Sequence, residues 1–251
     1  MDESICVLSC EPKAILLYRD KKPFHLEEEI LIEDIQSPHS IVSFRHSKRL
    51  YVTDKVEKCI WKITRTSKHV SKWLMDVDNP FTMSISDDNR MLVLRDTHPS
   101  SHLEFYASDA VLVRRLTLPL EIQMPLHAIQ RPDGSLIISH WKKVLHGHGK
   151  WVIGRLTGDG QVVGQFCSQD KLQELQYPRH LCGDSNNRWL IVADYGNDRV
   201  ILFDSKSLSW RQILLTNHEN GVRLPRLCFD ESNRQLIVGK FEGAVKVFAI
   251  N

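Results

Sequence analysis

Pro178-Arg179-His180-Leu181-Cys182, then Asp184-Ser185-Asn186-Asn187, then Trp189-Leu190-Ile191-Val192-Ala193-Asp194, then Tyr195-Gly196-Asn197-Asp198-Arg199 and Val200-Ile201-Leu202-Phe203 form one readable unit. A proline opens a short apolar run, a polar turn follows, and two further apolar runs are parted by a second turn. β-Branched and aromatic residues fill the runs, while Asp, Asn, Ser and Gly fill the gaps. That is the composition of short strands joined by hairpins.

The unit recurs in both directions along the chain. Pro38-His39-Ser40-Ile41 leads through Arg45-His46-Ser47-Lys48-Arg49 to Leu50-Tyr51-Val52-Thr53-Asp54. Pro80 leads through Asp87-Asp88-Asn89-Arg90 to Met91-Leu92-Val93-Leu94-Arg95-Asp96, and Pro125 through Arg131-Pro132-Asp133-Gly134 to Leu136-Ile137-Ile138-Ser139-His140. Pro225 leads through Asp230-Glu231-Ser232-Asn233 to Gln235-Leu236-Ile237-Val238-Gly239-Lys240. From each proline to the end of the second run is 15 or 16 positions, and successive prolines are 42, 45, 53 and 47 positions apart. This is near the period of a four-stranded blade, with the surplus falling in loops where insertion is cheap.

A third run follows each second one: Ile60-Trp61-Lys62-Ile63, Leu103-Glu104-Phe105-Tyr106, Trp151-Val152-Ile153-Gly154, Val200-Ile201-Leu202-Phe203 and Val245-Lys246-Val247-Phe248. Near the start of the chain, Ile5 to Ser9 and Ala14 to Tyr18 align without a gap on Leu50 to Ile63. The expected fold is all-β, a single six-bladed β-propeller over 1-251, with units at roughly 1-34, 35-77, 78-122, 123-175, 176-222 and 223-251. The first unit lacks its first strand and the last its fourth. These incomplete terminal units are expected to form or border the closing blade, an arrangement that covers exposed sheet edges.

The chain has 251 residues, 42% hydrophobic and 25% charged, which is enough apolar content for a packed core. A net charge of +2 supplies no global attraction to nucleic acid or membrane, so a basic surface must come from local clustering. No run reaches the ~18 apolar residues of a membrane span. Met1-Asp2-Glu3-Ser4 lacks the basic region of a signal peptide, so a cytoplasmic location and no membrane partner are expected. Cys6, Cys10, Cys59, Cys167, Cys182 and Cys228 include no CxxC pair and suit buried thiols in a reducing compartment.

The unit around Pro178 resembles the NHL repeat, whose pattern is a proline, an apolar strand, V-A-D-x-x-N-x-R-[IV] and a further apolar strand; Val192-Ala193-Asp194 through Asn197 and Arg199-Val200 carry the match. Leu94-Arg95-Asp96, Val52-Thr53-Asp54 and Ile60 keep parts of it, while the units at Pro125 and Pro225 have lost the aspartate. On physical grounds Asp194 and Asn197 are expected to satisfy turn amides, Gly196 to take a positive φ, and Arg199 to pair with Asp194.

The resemblance extends to the NHL domains of tripartite-motif proteins, several of which bind RNA. It implies a face where the loops between blades and between second and third strands meet. That face should collect His39, Lys55, Lys58, Phe81, His98, His127, Trp141, Lys142, Arg179, His180, Tyr195, Arg226, Lys240 and Phe241, a basic and aromatic set. Acidic residues lie mainly elsewhere, as in Glu27-Glu28-Glu29 and Glu33-Asp34. The expected function is a non-catalytic, monomeric scaffold for a protein partner, with RNA binding through phosphates and stacked bases as the alternative.

Two sets of histidines bear on metal binding. A related amidating lyase holds zinc on histidines at the strand starts, and Pro38-His39-Ser40 matches its P-H-[GSD] pattern. His127 and His180 stand one residue further from their prolines, and Phe81 and Arg226 replace histidine elsewhere. Zinc needs three or four convergent ligands, and a one-residue shift turns a strand side chain to the other face. His140, His146 and His148 form a second set in a Gly- and Lys-containing loop. No phosphate-cradling glycine loop, Gly-x-Ser-x-Gly or HExxH is present, so no catalytic residue, metal or cofactor is assigned.

Overall fold

The computed structural model describes residues 4–10, 13–19, 25–44, 47–97, 100–143, 148–168, 170–184, 186, 188–216, 226–230, 234–239 and 245–249. They form six antiparallel sheets. The first contains β1 (Ser4–Cys10), β2 (Lys13–Arg19) and β3 (Leu26–Leu31), and the second β4 (Pro38–Val42), β5 (Arg49–Asp54), β6 (Cys59–Thr64) and β7 (His69–Leu74). The third contains β8 (Pro80–Ile85), β9 (Met91–Arg95), β10 (His102–Tyr106) and β11 (Leu112–Thr117), and the fourth β12 (Gln123–Gln130), β13 (Leu136–Lys142), β14 (Lys150–Leu156) and β15 (Val162–Phe166). The fifth contains β16 (Pro178–Gly183), β17 (Trp189–Asp194), β18 (Arg199–Asp204) and β19 (Ser209–Thr216), and the sixth β20 (Arg226–Asp230), β21 (Gln235–Gly239) and β22 (Val245–Ala249). Among the described residues no helix is long and apolar enough to cross a membrane.

The sheets make a six-bladed β-propeller. The proline-opened strands β4, β8, β12, β16 and β20 lie side by side around the axis. Each second strand packs on the first strand of the next sheet: β5 on β8, β9 on β12, β13 on β16 and β17 on β20. β1 packs on β4 in the same manner. It therefore holds a second-strand place, as its alignment on Leu50-Tyr51-Val52 predicts, and the two three-stranded sheets stand beside each other in chain-closing order.

In the four four-stranded blades the second and third strands are buried on both faces, which explains why they read as continuous apolar runs instead of alternating ones. Within β5, Leu50 and Val52 pack with Ile15, Leu17 and Ile30 of the first sheet, while Tyr51 packs with Met83, Met91 and Val93 of the third. The same alternation places Ile138 against Leu92 and Leu94 on one side and Ile137 against Leu190 and Val192 on the other. Each such side chain contributes about 1.5–3 kcal/mol of burial.

In the turn after β17 the expected Asp194–Arg199 pair forms, but Asp194 takes its main-chain amide from Gln176, outside the turn, and Asn197 donates to Asp194 and to the Glu174 carbonyl instead of accepting a turn amide. Asp194, with no exposed side-chain surface, accepts hydrogen bonds from the Gln176 amide (2.7 Å), Asn197 Nδ2 (2.7 Å) and Arg199 Nε (2.8 Å). The positive φ falls on Asp198 (48°) and not on Gly196. Gly196 is required for space instead, because a Cβ there would sit 2.5 Å from the Gln176 carbonyl oxygen. Replacing Gly196 with Ala must shift main chain, and is expected to lower stability by about 1–2 kcal/mol in urea unfolding.

Candidate binding site at the channel mouth

The starts of the axial strands are fixed by carboxylates at the ends of the second strands. Asp54 accepts the amides of Gln36 (2.7 Å) and Ser37 (3.1 Å), immediately before β4, together with those of Val56 and Glu57 and the Trp61 indole. Asp194 does the same before β16 through Gln176. The residues that follow, Pro38-His39 and Pro178-Arg179-His180, are thereby delivered to the mouth of the channel in a set position.

Offset from the proline sorts the side chains into two linked groups. One residue after it stand His39, Phe81, Arg179 and Arg226. His39 Nδ1 donates to the Phe81 carbonyl (2.6 Å), and the two rings are 4.8 Å apart. Arg226 Nη2 donates to the His39 carbonyl (2.6 Å), tying the sixth sheet to the second. Lys55 Nζ lies 4.0 Å from the Phe81 ring centre, and the Arg179 guanidinium lies 5.1 Å from that of Tyr195.

Two residues after the proline stand His127 and His180, whose ring centres are 4.0 Å apart. His127, 1% exposed, accepts the Leu181 amide at Nδ1 (3.4 Å), so its hydrogen sits on Nε2. That nitrogen is buried without a hydrogen-bond partner; the nearby Met83 carbonyl favours protonation but lies outside bonding geometry. His180 Nδ1 and Arg179 Nε are likewise buried and unpartnered.

The electrostatics are one-sided. Burial, reinforced by Arg226, Lys55 and Arg179, lowers His39 to about 3. Burial and then Arg226 lower His127 to about 3. His180 is held well below its ordinary value by burial, then His127, Arg226 and Arg179. Lys55 is lowered by burial, then by Arg179 and Arg226, while Asp96 acts in the opposite direction. All three imidazoles are therefore neutral at pH 7, in a setting crowded with cations.

An aromatic file runs into this cluster from the side. Trp141 meets Trp151 (5.2 Å), Trp151 meets Tyr177 (4.9 Å), and Tyr177 approaches Tyr195 (5.9 Å), which carries Arg179. Trp151 and Tyr177 were not picked out from sequence; their aromatic character beside a turn was the available signal.

The remaining candidates make other contacts or fall outside the described residues. Lys58 is exposed and pairs with Asp78 (3.4 Å), and Lys142 reaches along its sheet to Gln165. His98, Lys240 and Phe241 lie outside the described residues.

Among the described residues neither histidine set supplies the ligands of a metal site. His127 and His180 meet, but His39 is engaged by the Phe81 carbonyl, and the surrounding cations oppose a dication. His140 belongs to β13 and not to a loop; it is buried, with Nδ1 on the Trp141 carbonyl (2.9 Å), while His146 lies outside the described residues. Among the described residues no three His, Cys, Asp or Glu side chains converge on a metal position.

No family model and no curated protein matches the sequence. Solved structures do. Hydrazine synthase of Kuenenia stuttgartiensis aligns over 98% of this chain and 80% of its own, with 15% identity and a TM-score of 0.68. A catalytically inactive virginiamycin B lyase of Staphylococcus aureus, solved with quinupristin, aligns over 100% and 82%, with 12% identity and a TM-score of 0.61. A chain of the nidogen–laminin complex aligns over 94% and 90%, with 14% identity and a TM-score of 0.63. At such identities the likeness establishes a propeller fold, one that serves enzymes and binding proteins alike.

Proposed function

We propose that this propeller is a non-catalytic binding platform that docks a protein partner on its channel-mouth face, in the manner the NHL resemblance implies. The aromatic file from Trp141 to Tyr195, ending under Arg179, carries the reading. Partly exposed Trp, Tyr and Arg on rigid strands and tight turns are the residues that anchor protein interfaces, because they bury much area at little entropic cost. Glu104 illustrates the contrast: wholly buried, bonded to Arg95 (2.9 Å), Arg115 (2.7 Å) and the Tyr106 hydroxyl (2.7 Å), it is placed to hold a blade together and not to react.

A displayed random-peptide library selected on the whole chain tests the proposal. Peptides enriched on the wild type are expected to bind about tenfold or more weakly to Tyr195→Ala and Trp141→Ala, the loss typical of an aromatic anchor. A parallel arm measures retention of single-stranded RNA between about 50 and 200 mM salt. No enrichment, or RNA retention that falls steeply with salt and depends on Arg179, overturns the protein reading.

A further inference from the structure

We propose that the partner segment held by the aromatic file is proline-rich, bound in the polyproline II conformation with an acidic residue at the Arg179 end. This rests on the docking reading and narrows it to one kind of ligand.

Four separate segments build the file: Trp141 comes from β13, Trp151 from β14, Tyr177 from just before β16 and Tyr195 from just after β17. β13, β14 and β17 each have a strand paired on both sides, so the file runs along no open sheet edge and an added β-strand would find no ladder of main-chain partners there. What the file offers is rings. Neighbouring planes meet at 69°, 78° and 55°, so faces alternate with edges and leave notches between them.

Polyproline II suits such a surface. It needs no ladder, its carbonyls are left free, and its apolar pyrrolidine rings seat in aromatic-lined grooves. The spacing agrees. Ring centres follow one another at 5.2, 4.9 and 5.9 Å, and one three-residue turn of polyproline II advances about 9 Å, close to two such steps. Prolines three apart therefore meet alternate rings. Hydrogen bonding points the same way: the indole N–H groups of Trp61 and Trp73 donate to Asp54 (3.3 Å) and to the Ser108 carbonyl (3.3 Å), whereas among the described residues those of Trp141 and Trp151 have no acceptor. Both indoles are partly exposed and can donate to the carbonyls of the ligand.

Charge complementarity sets the end of the segment. The Arg179 guanidinium lies 5.1 Å from the Tyr195 ring centre, and its Nε is buried without a hydrogen-bond partner. A carboxylate there supplies both an acceptor and a counter-charge. At the other end, exposed Met124 follows Gln123, the residue paired with Trp141, and adds apolar surface.

Fluorescence anisotropy of labelled peptides on the whole chain tests the proposal. The probe has proline at every third position and glutamate at each end; one comparison peptide has alanine for proline, another glutamine for glutamate. Saturable binding of the probe is expected, about tenfold tighter than that of the alanine peptide and about tenfold weaker on Trp141→Ala or Tyr195→Ala. Arg179→Met should weaken the glutamate peptide about tenfold and leave the glutamine peptide unchanged. A probe that binds no tighter than its alanine counterpart, or equally well to Trp141→Ala and Tyr195→Ala, overturns the proposal; equal effects of Arg179→Met on both peptides overturn its acidic end. The displayed library separates the two readings: selected peptides that depend on Tyr195 but carry no three-residue proline repeat strike this inference and leave the docking face standing.

Discussion

Lowering the pH from 7 to 5 is expected to remove about 3 kcal/mol of folding stability, well before ordinary carboxylates titrate. The loss comes from imidazoles held neutral in the fold. For a histidine moved from 6.5 to about 3, as His127 is, the unfolded chain binds a proton below pH 6.5 and the folded chain does not. Stability from such a group is whole above 6.5 and declines as the pH falls toward 3, by about 2 kcal/mol at pH 5. His39 is shifted by burial and by Arg226 to the same value but is partly exposed, so its share is discounted to about 1 kcal/mol. His180 moves in the same direction and adds to the loss. Against a typical total of 5–15 kcal/mol, this is a large fraction. Urea unfolding at pH 7, 6 and 5 measures it. His127→Gln, whose amide oxygen can still accept the Leu181 N–H, should flatten the slope by one proton's share. Asp204 provides the contrast: its carboxyl is held low by the Ser207 amide and hydroxyl and by Arg211, so its contribution is lost only at much lower pH. A flat response down to pH 5, with loss only below 4, would show that the buried imidazoles are not neutral.

The repeat was legible because hairpin chemistry and double-sided burial leave local marks: a proline, a turn and an apolar run at fixed spacing. Even the second-strand place of β1 followed from its alignment alone. The Asp194–Arg199 pair was legible for the same reason, since both partners lie within one hairpin. Gly196 was misread because its constraint is not its own φ but the Gln176 carbonyl, which arrives from the crossing between blades. The site was visible only in outline. Parity after the proline correctly separates His39 from His127 and His180, yet sequence cannot show that His127 would meet His180 across two blades or that Arg226 would reach back to His39. Nor does sequence show that Lys58 would pair with Asp78 or Lys142 with Gln165, partners contributed by other segments. Contacts that depend on side-chain reach between distant segments leave no periodic trace.

Asp194→Ala is expected to cost about 3–5 kcal/mol, because it strands a charge and a main-chain donor together. Arg199 is only 8% exposed and would keep its donations to the carbonyls of Leu172 (2.6 Å) and Glu174 (2.7 Å) while losing its counter-ion. Burial alone drives the Asp194 carboxyl upward; Asn197, the Gln176 amide and Arg199 act against that and favour the charged form. Asp194→Asn, which preserves shape and one acceptor, should lose roughly half as much, about 2 kcal/mol. A cycle with Arg199→Met separates the pair from the turn: if charge pairing dominates, the double variant is less destabilised than the sum of the singles. The consequence reaches the channel mouth, since Gln176 immediately precedes Tyr177, Pro178 and Arg179. Loss of the Asp194 clamp should therefore also weaken binding of the selected peptides at temperatures where the variant remains folded, whereas Glu104→Gln, remote in a third-sheet blade, should lower stability without that effect. Unfolding midpoints of Asp194→Ala within about 1 kcal/mol of the wild type would show that the aspartate satisfies a turn without governing the start of the axial strand.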